Sequence, residues 1–453
     1  MFACILLLPH SIDDLSWSVL AVACWMLVWW LTETVNLAVT ALLPLVLFPL
    51  LGVMPIEEVS VNYANPLVYL FFGGFLLALA IEKWHLHKRI ALVIINITGT
   101  STVRIFLGFM LATAFMSMWI SNTATTVMML PIALSVIELI EPKKKSKLAV
   151  LLLIGLAWSA NIGGIATLIG TPPNLILAGF MKEEMNREIF FSDWLMFGLP
   201  ISATLFIAAY FLLTRFLPHD ERIKESPEVK GLISKELLKL GKLKGSEMRV
   251  LAVFVLTALS WMARKQVVEL TGWTAITDTT IALAAGISLF VLPSAEDSKK
   301  RILAWKDTQR LGWGILLLFG GGLALAAAIQ RSTWVLKIGD LISSMHIQYI
   351  LILILLIALI GVFLTEVISN MALVTALLPL VAAIAFGADA DFFNLALPLT
   401  IGASCAFMLP MATPPNAIVF SSNKISVAQM ARYGFLMNLI SVAVVTLLVY
   451  WLV

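Results

Sequence analysis

Two short polar stretches, set in otherwise apolar sequence, carry the residue types that can do chemistry in this chain. The first is Ser117-Met118-Trp119-Ile120-Ser121-Asn122-Thr123, which runs on to Leu130-Pro131. The second is Thr365-Glu366-Val367-Ile368-Ser369-Asn370-Met371, which runs on to Leu378-Pro379. In each, a hydroxyl residue stands four before the Ser-Asn pair and a proline nine after the Asn. A further matched pair follows them, Gly170-Thr171-Pro172-Pro173-Asn174 and Ala412-Thr413-Pro414-Pro415-Asn416. The spacing between copies is 248 residues for the first pair and 242 for the second. Order and spacing kept together in this way mark an internal duplication.

The chemistry implied is ion binding. Proline removes a backbone donor and glycine permits left-handed dihedrals, so the helices carrying these residues are expected to be interrupted. Where a half-helix ends, at Ser117 to Ser121 or Thr365 to Ser369, unpaired carbonyls are oriented to hold a cation. Where the next begins, at Thr123 or Met371, free N–H groups and the positive dipole end favour an anion. The Ser hydroxyls and the Asn122 and Asn370 side chains add oxygens for a hard cation and donors for a carboxylate. The Thr171 and Thr413 hydroxyls can complete the anion pocket. No Lys or Arg lies within these motifs or the interrupted helices. An anion at that depth has no fixed countercharge, and unpaired charge in a low dielectric is expensive. Co-bound cations remove the difficulty, and the two carbonyl cages offer at least two places for them. Cation-coupled anion uptake follows, with the identity of the cation left open.

The elements that must position these residues are membrane helices. Of the 453 residues 60% are hydrophobic and 13% charged, against about 25% charged in a globular chain. Many apolar runs reach the ~20 residues needed to span a bilayer, without the alternation of barrel strands. The fold class is therefore an all-α polytopic membrane protein. Spans are expected at Trp17 to Leu31, Thr34 to Met54, Pro66 to Ile81, Trp194 to Leu217, Val250 to Trp261, Thr277 to Leu292, Gly312 to Ile329 and Tyr433 to Val453. Phe2 to Pro9 is too short to span and has no basic n-region or obvious cleavage site. It reads as the tail of a truncated first helix rather than a signal segment. Lys83 to Thr100 has the pattern of an interfacial amphipathic helix.

Arg104 to Ile140 leaves only about 15 residues on either side of its motif, too few for a full crossing. Two half-length arms meeting at Ser121-Asn122 make a re-entrant hairpin, and a second is expected around 350–385. Leu148 to Met181 and 391–420 read as transmembrane helices broken at their Thr-Pro-Pro segments. The chain thus divides into an N-terminal repeat, 1–217, a polar cytoplasmic linker, 218–247, and a C-terminal repeat, 248–453. Segments 82–104, 140–148, 215–249, 293–310 and 421–432 hold 24 of the 30 Lys and Arg. The positive-inside rule makes them cytoplasmic. The first hairpin then enters from the cytoplasm and the second from outside, which makes the repeats inverted in topology. Discontinuous helices at the interface of inverted repeats are the construction of secondary transporters.

Other residue types narrow the class. Cys4, Cys24 and Cys405 show no metal or disulfide spacing, and the five histidines sit at segment ends. With no mid-membrane nucleophile, base or metal set, an enzyme is disfavoured. Without a continuous charged ring, so is an open anion channel. The net charge of +3 is a topology signal rather than a nucleic-acid signal. Glu33 and Glu366 are acidic residues in apolar context, each after a Thr. A hydrogen-bonded structural role and a proton or cation role both stay open for them. The triplets Phe72-Gly73-Gly74 and Phe319-Gly320-Gly321 are expected to allow close packing.

At these motifs the sequence resembles the divalent-anion:sodium symporter family (DASS), the sodium-coupled di- and tricarboxylate transporters. The resemblance extends from Trp29-Trp30-Leu31-Thr32-Glu33 to the final helix. It implies Na⁺ as the transported coupling ion, with one site at Ser117, Ser121, Asn122 and Gly170 and a second at Thr365, Ser369, Asn370 and Ala412. It implies that substrate carboxylates meet Asn122, Thr123, Asn370 and Thr413, with Thr171 and Pro414 lining the pocket. The family's second motif ends in Thr where this chain has Met371, a substrate-facing position that loses a hydroxyl. By this resemblance the protein is a multi-pass cell-membrane transporter, a homodimer working by an elevator mechanism. It imports a small divalent anion, foremost a C4-dicarboxylate such as succinate, malate or fumarate. Sulfate or other inorganic-anion symport and dicarboxylate exchange are the alternatives.

Overall fold

In hydrocarbon every backbone N–H and C=O must be paired within its own segment, so apolar runs of this length fold as helices. The computed structural model describes residues 13–32, 34–99, 101–140, 147–217, 227–243, 245–334, 337 and 350–452. These are mostly helical, joined by turns and short extended segments, with an isolated bridge between Pro293 and Arg301. Eight of the described helices are long and apolar enough to cross a bilayer. Glu33, the stub at Phe2 to Pro9 and the start of the linker lie outside the described residues.

Most expected spans appear within a few residues of their anticipated ends. They are Asp14–Thr32, Pro66–Lys83, Phe191–Arg215, Asp278–Val291, Trp313–Arg331 and Val427–Leu452. Gly245–Thr271 is longer than the expected Val250 to Trp261, because Arg264 and Lys265 continue the helix past the apolar run. Buried Arg264 forms an ion pair there with Asp278 at 3.2 Å and donates from Nε to the Ile276 carbonyl at 2.9 Å. The expected span Thr34 to Met54 is instead two short helices, Leu37–Thr40 and Leu43–Leu50. Pro44 starts the second of these, and the chain turns back after Pro49, with the Val53 and Met54 N–H groups both closing on the Phe48 carbonyl. A helix the sequence reading did not separate, Ile56–Tyr63, follows.

The motif-bearing elements form at the expected places, although the arm after the first motif, Asn122–Ile140, has 19 residues rather than about 15 and is long enough to cross a bilayer. The first hairpin has arms Thr102–Ser117 and Asn122–Ile140; the second has arms Ile350–Leu364 and Asn370–Gly387. The first broken helix is Lys147–Ile165 and Pro172–Met185, the second Phe392–Ser404 and Pro414–Phe420. Prolines at the first helical position restart both. The half Lys147–Ile165 is enclosed on all sides, every residue from Leu148 to Ile165 being buried. The first hairpin, the helix Phe191–Arg215 and the second broken helix all pack around it, which is why almost every position there is apolar.

Two hydrophobic cores result. The larger runs through the hairpins and broken helices and also through Pro66–Lys83, Leu86–Thr98 and Asp278–Val291; a smaller one joins Val22, Met26 and Trp30 to Phe48, Val59, Leu318 and Leu325 and reaches Ala372 of the second hairpin. The glycine triplets serve close packing. A Cβ on Gly73 would lie 2.6 Å from the Ala282 backbone, and one on Gly320 2.5 Å from the Tyr63 ring. The stretch expected to be interfacial forms the amphipathic helix Leu86–Thr98, Lys83 belonging instead to the preceding helix, and the linker contains a second amphipathic helix, Pro227–Leu240. Arg89 of the first ties the end of the linker helix and the start of Gly245–Thr271 to it, donating to the Leu240 and Gly241 carbonyls at 3.3 and 2.9 Å and to Glu247 at 2.5 and 3.0 Å.

Opposed repeats require three crossings between residues 186 and 299, both of which are exposed. A cysteine at Asn186 is expected to react with an impermeant reagent only from outside, and one at Lys299 only from the cytoplasm. Labelling of both from one face would remove the inverted arrangement.

Candidate functional site

Each motif is built by a helix that stops and another that starts. In the first hairpin the Trp119 and Ile120 N–H groups both close on the Met116 carbonyl; in the second, Val367 and Ile368 both close on Leu364. The helical ladder ends at the same register in both. The next arm then starts under a side-chain cap, Ser121 Oγ accepting from Ala124 N at 3.2 Å and Ser369 Oγ from Ala372 N at 3.3 Å. A capping hydroxyl has a second lone pair left for a cation.

The buried hydroxyl four residues earlier bonds the motif Asn in both copies. Ser117 Oγ donates to Asn122 Oδ1 at 2.6 Å, and Thr365 Oγ1 to Asn370 Oδ1 at 2.7 Å. Thr365 Oγ1 is also 2.7 Å from the Ala403 carbonyl, and a hydroxyl has one proton for these two acceptors. Oxygens in excess of protons are what a hard monovalent cation needs. Among the described residues no three His, Cys, Asp or Glu side chains converge, so the oxygens on offer to a cation here are neutral ones.

The broken helices repeat each other as closely. Gly170 N donates to Thr167 O at 3.2 Å, as Ala412 N does to Leu409 O. Thr171 and Thr413 share extended dihedrals, φ −143° in both and ψ 142° and 153°. The Asn after the double proline straps the unwound segment. Asn174 Nδ2 donates to the Gly164 and Thr167 carbonyls, and Asn416 Nδ2 to those of Ala406 and Leu409, all within 3.2 Å. The straps obey the 242-residue spacing residue for residue. Gly164 is required at the contact with the hairpin, since a Cβ there would come within 2.7 Å of Asn122 Oδ1.

These elements converge on one cavity of about 740 Å³. Ser121, Asn122, Thr123, Gly170, Thr171, Ser369, Asn370, Met371, Ala412, Thr413 and Pro414, all singled out by the sequence, line it. Ser117 and Thr365 stand immediately behind, fully buried and reaching the cavity through their Asn partners. Helices starting at Asn122, Pro172, Asn370 and Pro414 all point their N-termini into this space, and none of the described lining residues carries a charge. Helix N-termini favour an anion there, and the neutral oxygens can hold a cation beside it. The opposite wall, Phe71, Phe75, Ala78 and Ile315, was not anticipated. Those residues are apolar and lie one turn from the glycine triplets, which was the only signal for them.

Glu366 has a defined role. Its carboxylate accepts from the Phe407, Met408 and Leu409 N–H groups at 2.7–3.0 Å and from Asn438 Nδ2 at 2.9 Å. It is the cap of the second unwound segment. In the first repeat the equivalent residue is Met118, and the tie is reversed, Thr167 Oγ1 donating to the Met118 carbonyl at 2.5 Å.

Comparison with known proteins gives the same picture at the level of families. Residues 1–453 match the family described as the sodium:sulfate symporter transmembrane region. A protein named sodium-dependent dicarboxylate transporter SdcS, from Staphylococcus saprophyticus, is 41% identical over 455 residues, covering 98% of this chain and 88% of that one. The protein of the same name from Staphylococcus aureus is 40% identical over 466 residues, covering 100% and 89%. Among solved structures, Neisseria gonorrhoeae MtrF aligns with a TM-score of 0.53 at 13% identity, covering 87% of this chain and 83% of that one. The Alcanivorax borkumensis YdaH transporter aligns with a TM-score of 0.53 at 14% identity, covering 87% of each. At such identities these two structures speak to the fold alone.

Proposed function

The chain belongs to the sodium:sulfate symporter family, and from that premise we propose that it imports a divalent anion with sodium, foremost a C4-dicarboxylate such as succinate, malate or fumarate. It is a multi-pass protein of the cell membrane and a transporter, not an enzyme. The observation that carries the reading is the uncharged cavity on which both Ser-Asn motifs and both Thr-Pro-Pro loops open. Sodium is cargo here as well as countercharge. One ion is held by Ser117, Ser121, Asn122 and Gly170, the other by Thr365, Ser369, Asn370 and Ala412. With both in place the anion meets positive charge at each end, and Asn122, Thr123, Asn370 and Thr413 donate to its carboxylates. Thr171 and Pro414 shape the pocket. Without sodium the anion faces only dipoles and pays the desolvation of a dianion. That difference couples the two fluxes.

Met371 sits where the first motif has Thr123, lining the cavity with a thioether in place of a hydroxyl. It keeps the backbone donor but accepts only weakly, so one end of the substrate is held by fewer bonds. We further propose that the protein is a homodimer in which the hairpins and broken helices move as an elevator against the remaining helices.

The test is uptake of labelled succinate and labelled sulfate into vesicles holding the purified protein, with and without an inward sodium gradient. Succinate accumulation that needs the gradient is expected. Sulfate accumulation in its place, or succinate movement only against internal dicarboxylate, would favour the inorganic-anion or exchange reading.

A further inference from the structure

We propose that Asn161 is a positioning residue that makes the Thr413 hydroxyl an obligatory donor to one end of the substrate, an inference that rests on the anion-transport reading above. Asn161 lies in the enclosed half Lys147–Ile165, is 1% exposed and reaches the wall of the cavity. Its Nδ2 donates to the Ala406 carbonyl at 3.0 Å and to Thr413 Oγ1 at 3.1 Å. It therefore ties the first broken helix to the unwound centre of the second, across the repeat boundary.

The Ala406 carbonyl fixes the amide's orientation. A carbonyl only accepts, so the group facing it must be the NH₂; turned over, Oδ1 would meet another acceptor. The orientation holds even though it leaves Oδ1 buried without a partner, a cost that folding otherwise avoids. With Nδ2 so placed, its second hydrogen points at Thr413. The Thr413 oxygen then accepts, and its single proton must go elsewhere. Thr413 lines the cavity, so the free direction is towards the anion. A carboxylate accepts only, and a hydroxyl already turned into a donor pays less to meet it.

The bond to Thr413 is the informative one. Ala406 O already receives Asn416 Nδ2 at 3.2 Å, so its need for a donor is met without Asn161. The device also exists on one side only. At the 242-residue spacing the counterpart of Asn161 is Ala403, which has no amide to offer Thr171. The two ends of the substrate are thus met unequally: one by Thr413, pre-set as a donor, the other by a Thr171 hydroxyl without this constraint. The pre-set hydroxyl and Met371 both belong to the second repeat.

The experiment is sodium-driven succinate uptake by the full-length protein in vesicles, for Asn161→Ala, Thr413→Val and the double variant. Asn161→Ala is expected to raise KM by about 3- to 10-fold, as for the loss of a neutral hydrogen bond. Maximal rate and half-saturating sodium should stay at the parental values. Thr413→Val is expected to raise KM by about 10-fold or more. The double variant should match Thr413→Val alone, because an orienting residue has no effect once the group it orients is gone. A purely structural role predicts multiplying effects instead, and multiplying effects, or an unchanged KM in Asn161→Ala, overturn the proposal. If Asn161→Ala does not insert, Asn161→Ser, whose hydroxyl is too short to reach Thr413, carries the same expectations. Absence of sodium-driven uptake in the parental protein would instead sink the functional reading on which the inference rests.

Discussion

Replacing Asn122 or Asn370 by alanine is expected to abolish sodium-stimulated anion uptake while leaving folding and insertion intact. Each side chain is half-buried at the point where a hairpin turns, with its Oδ1 on a buried hydroxyl and its helix opening on the cavity. In the proposed site, alanine removes an oxygen from a cation cage and a donor to the anion in one step. Hydrogen bonds to charged groups are worth about 1.5–3 kcal/mol each, so losing two weakens the loaded state by at least about 100-fold at 1.4 kcal/mol per decade. The effect compounds, because an anion without its cation pays for desolvation. Folding is spared because Ser121 and Ser369, not the Asn side chains, cap the helices that follow. Initial rates in vesicles against sodium concentration, with melting temperature as the control for folding, decide the matter. Uptake at the parental rate and sodium dependence in either variant would show that the assigned residue is not part of the site.

The second large effect is on stability. Glu366→Ala is expected to lower the stability of the protein by at least about 3 kcal/mol, since each buried donor left unpaired costs about 1–3 kcal/mol. Three backbone N–H groups and the Asn438 amide lose their acceptor at once, and Glu366 is only 3% exposed, so little water can replace it. Glu366→Gln keeps one acceptor oxygen but turns an NH₂ towards groups that only donate. It should fall between the parental protein and Glu366→Ala. Thermal unfolding in detergent gives the order directly. A Glu366→Ala protein that melts with the parental one would mean that the carboxylate does not hold the unwound segment, and would reopen a role for it in carrying a proton or cation.

How much of this was legible beforehand depended on whether the signal was local. The hairpins and broken helices were, because a Ser-Asn or Thr-Pro-Pro segment interrupts an apolar run; the lengths of the pieces were not, Asn122–Ile140, Lys147–Ile165 and Asn370–Gly387 each being long enough to cross a bilayer. The division of Thr34 to Met54 into two short helices was not foreseen, although Pro44 and Pro49 were visible. Its turn is held by N–H groups closing on Phe48, which hydropathy does not reveal. Glu366 could be recognised as unusual, but not assigned. Its partners are more than 40 residues away, and an acidic side chain in apolar sequence looks the same whether it binds a cargo ion or three peptide groups.

The sequence by itself determined the class of the protein, its helical elements, the duplication and the residues that face the cavity. All of these follow from composition, spacing and the backbone chemistry of Gly, Pro, Ser, Thr and Asn, which act within a few residues of themselves. Only the tertiary structure decided that the four motifs open on one space without charged described residues, that Glu366 is a cap, and that Asn161 donates to the Thr413 hydroxyl. Those are contacts between segments up to 252 residues apart. They depend on the direction in which each hydrogen bond runs, and a one-dimensional pattern carries residue types without the direction of their bonds.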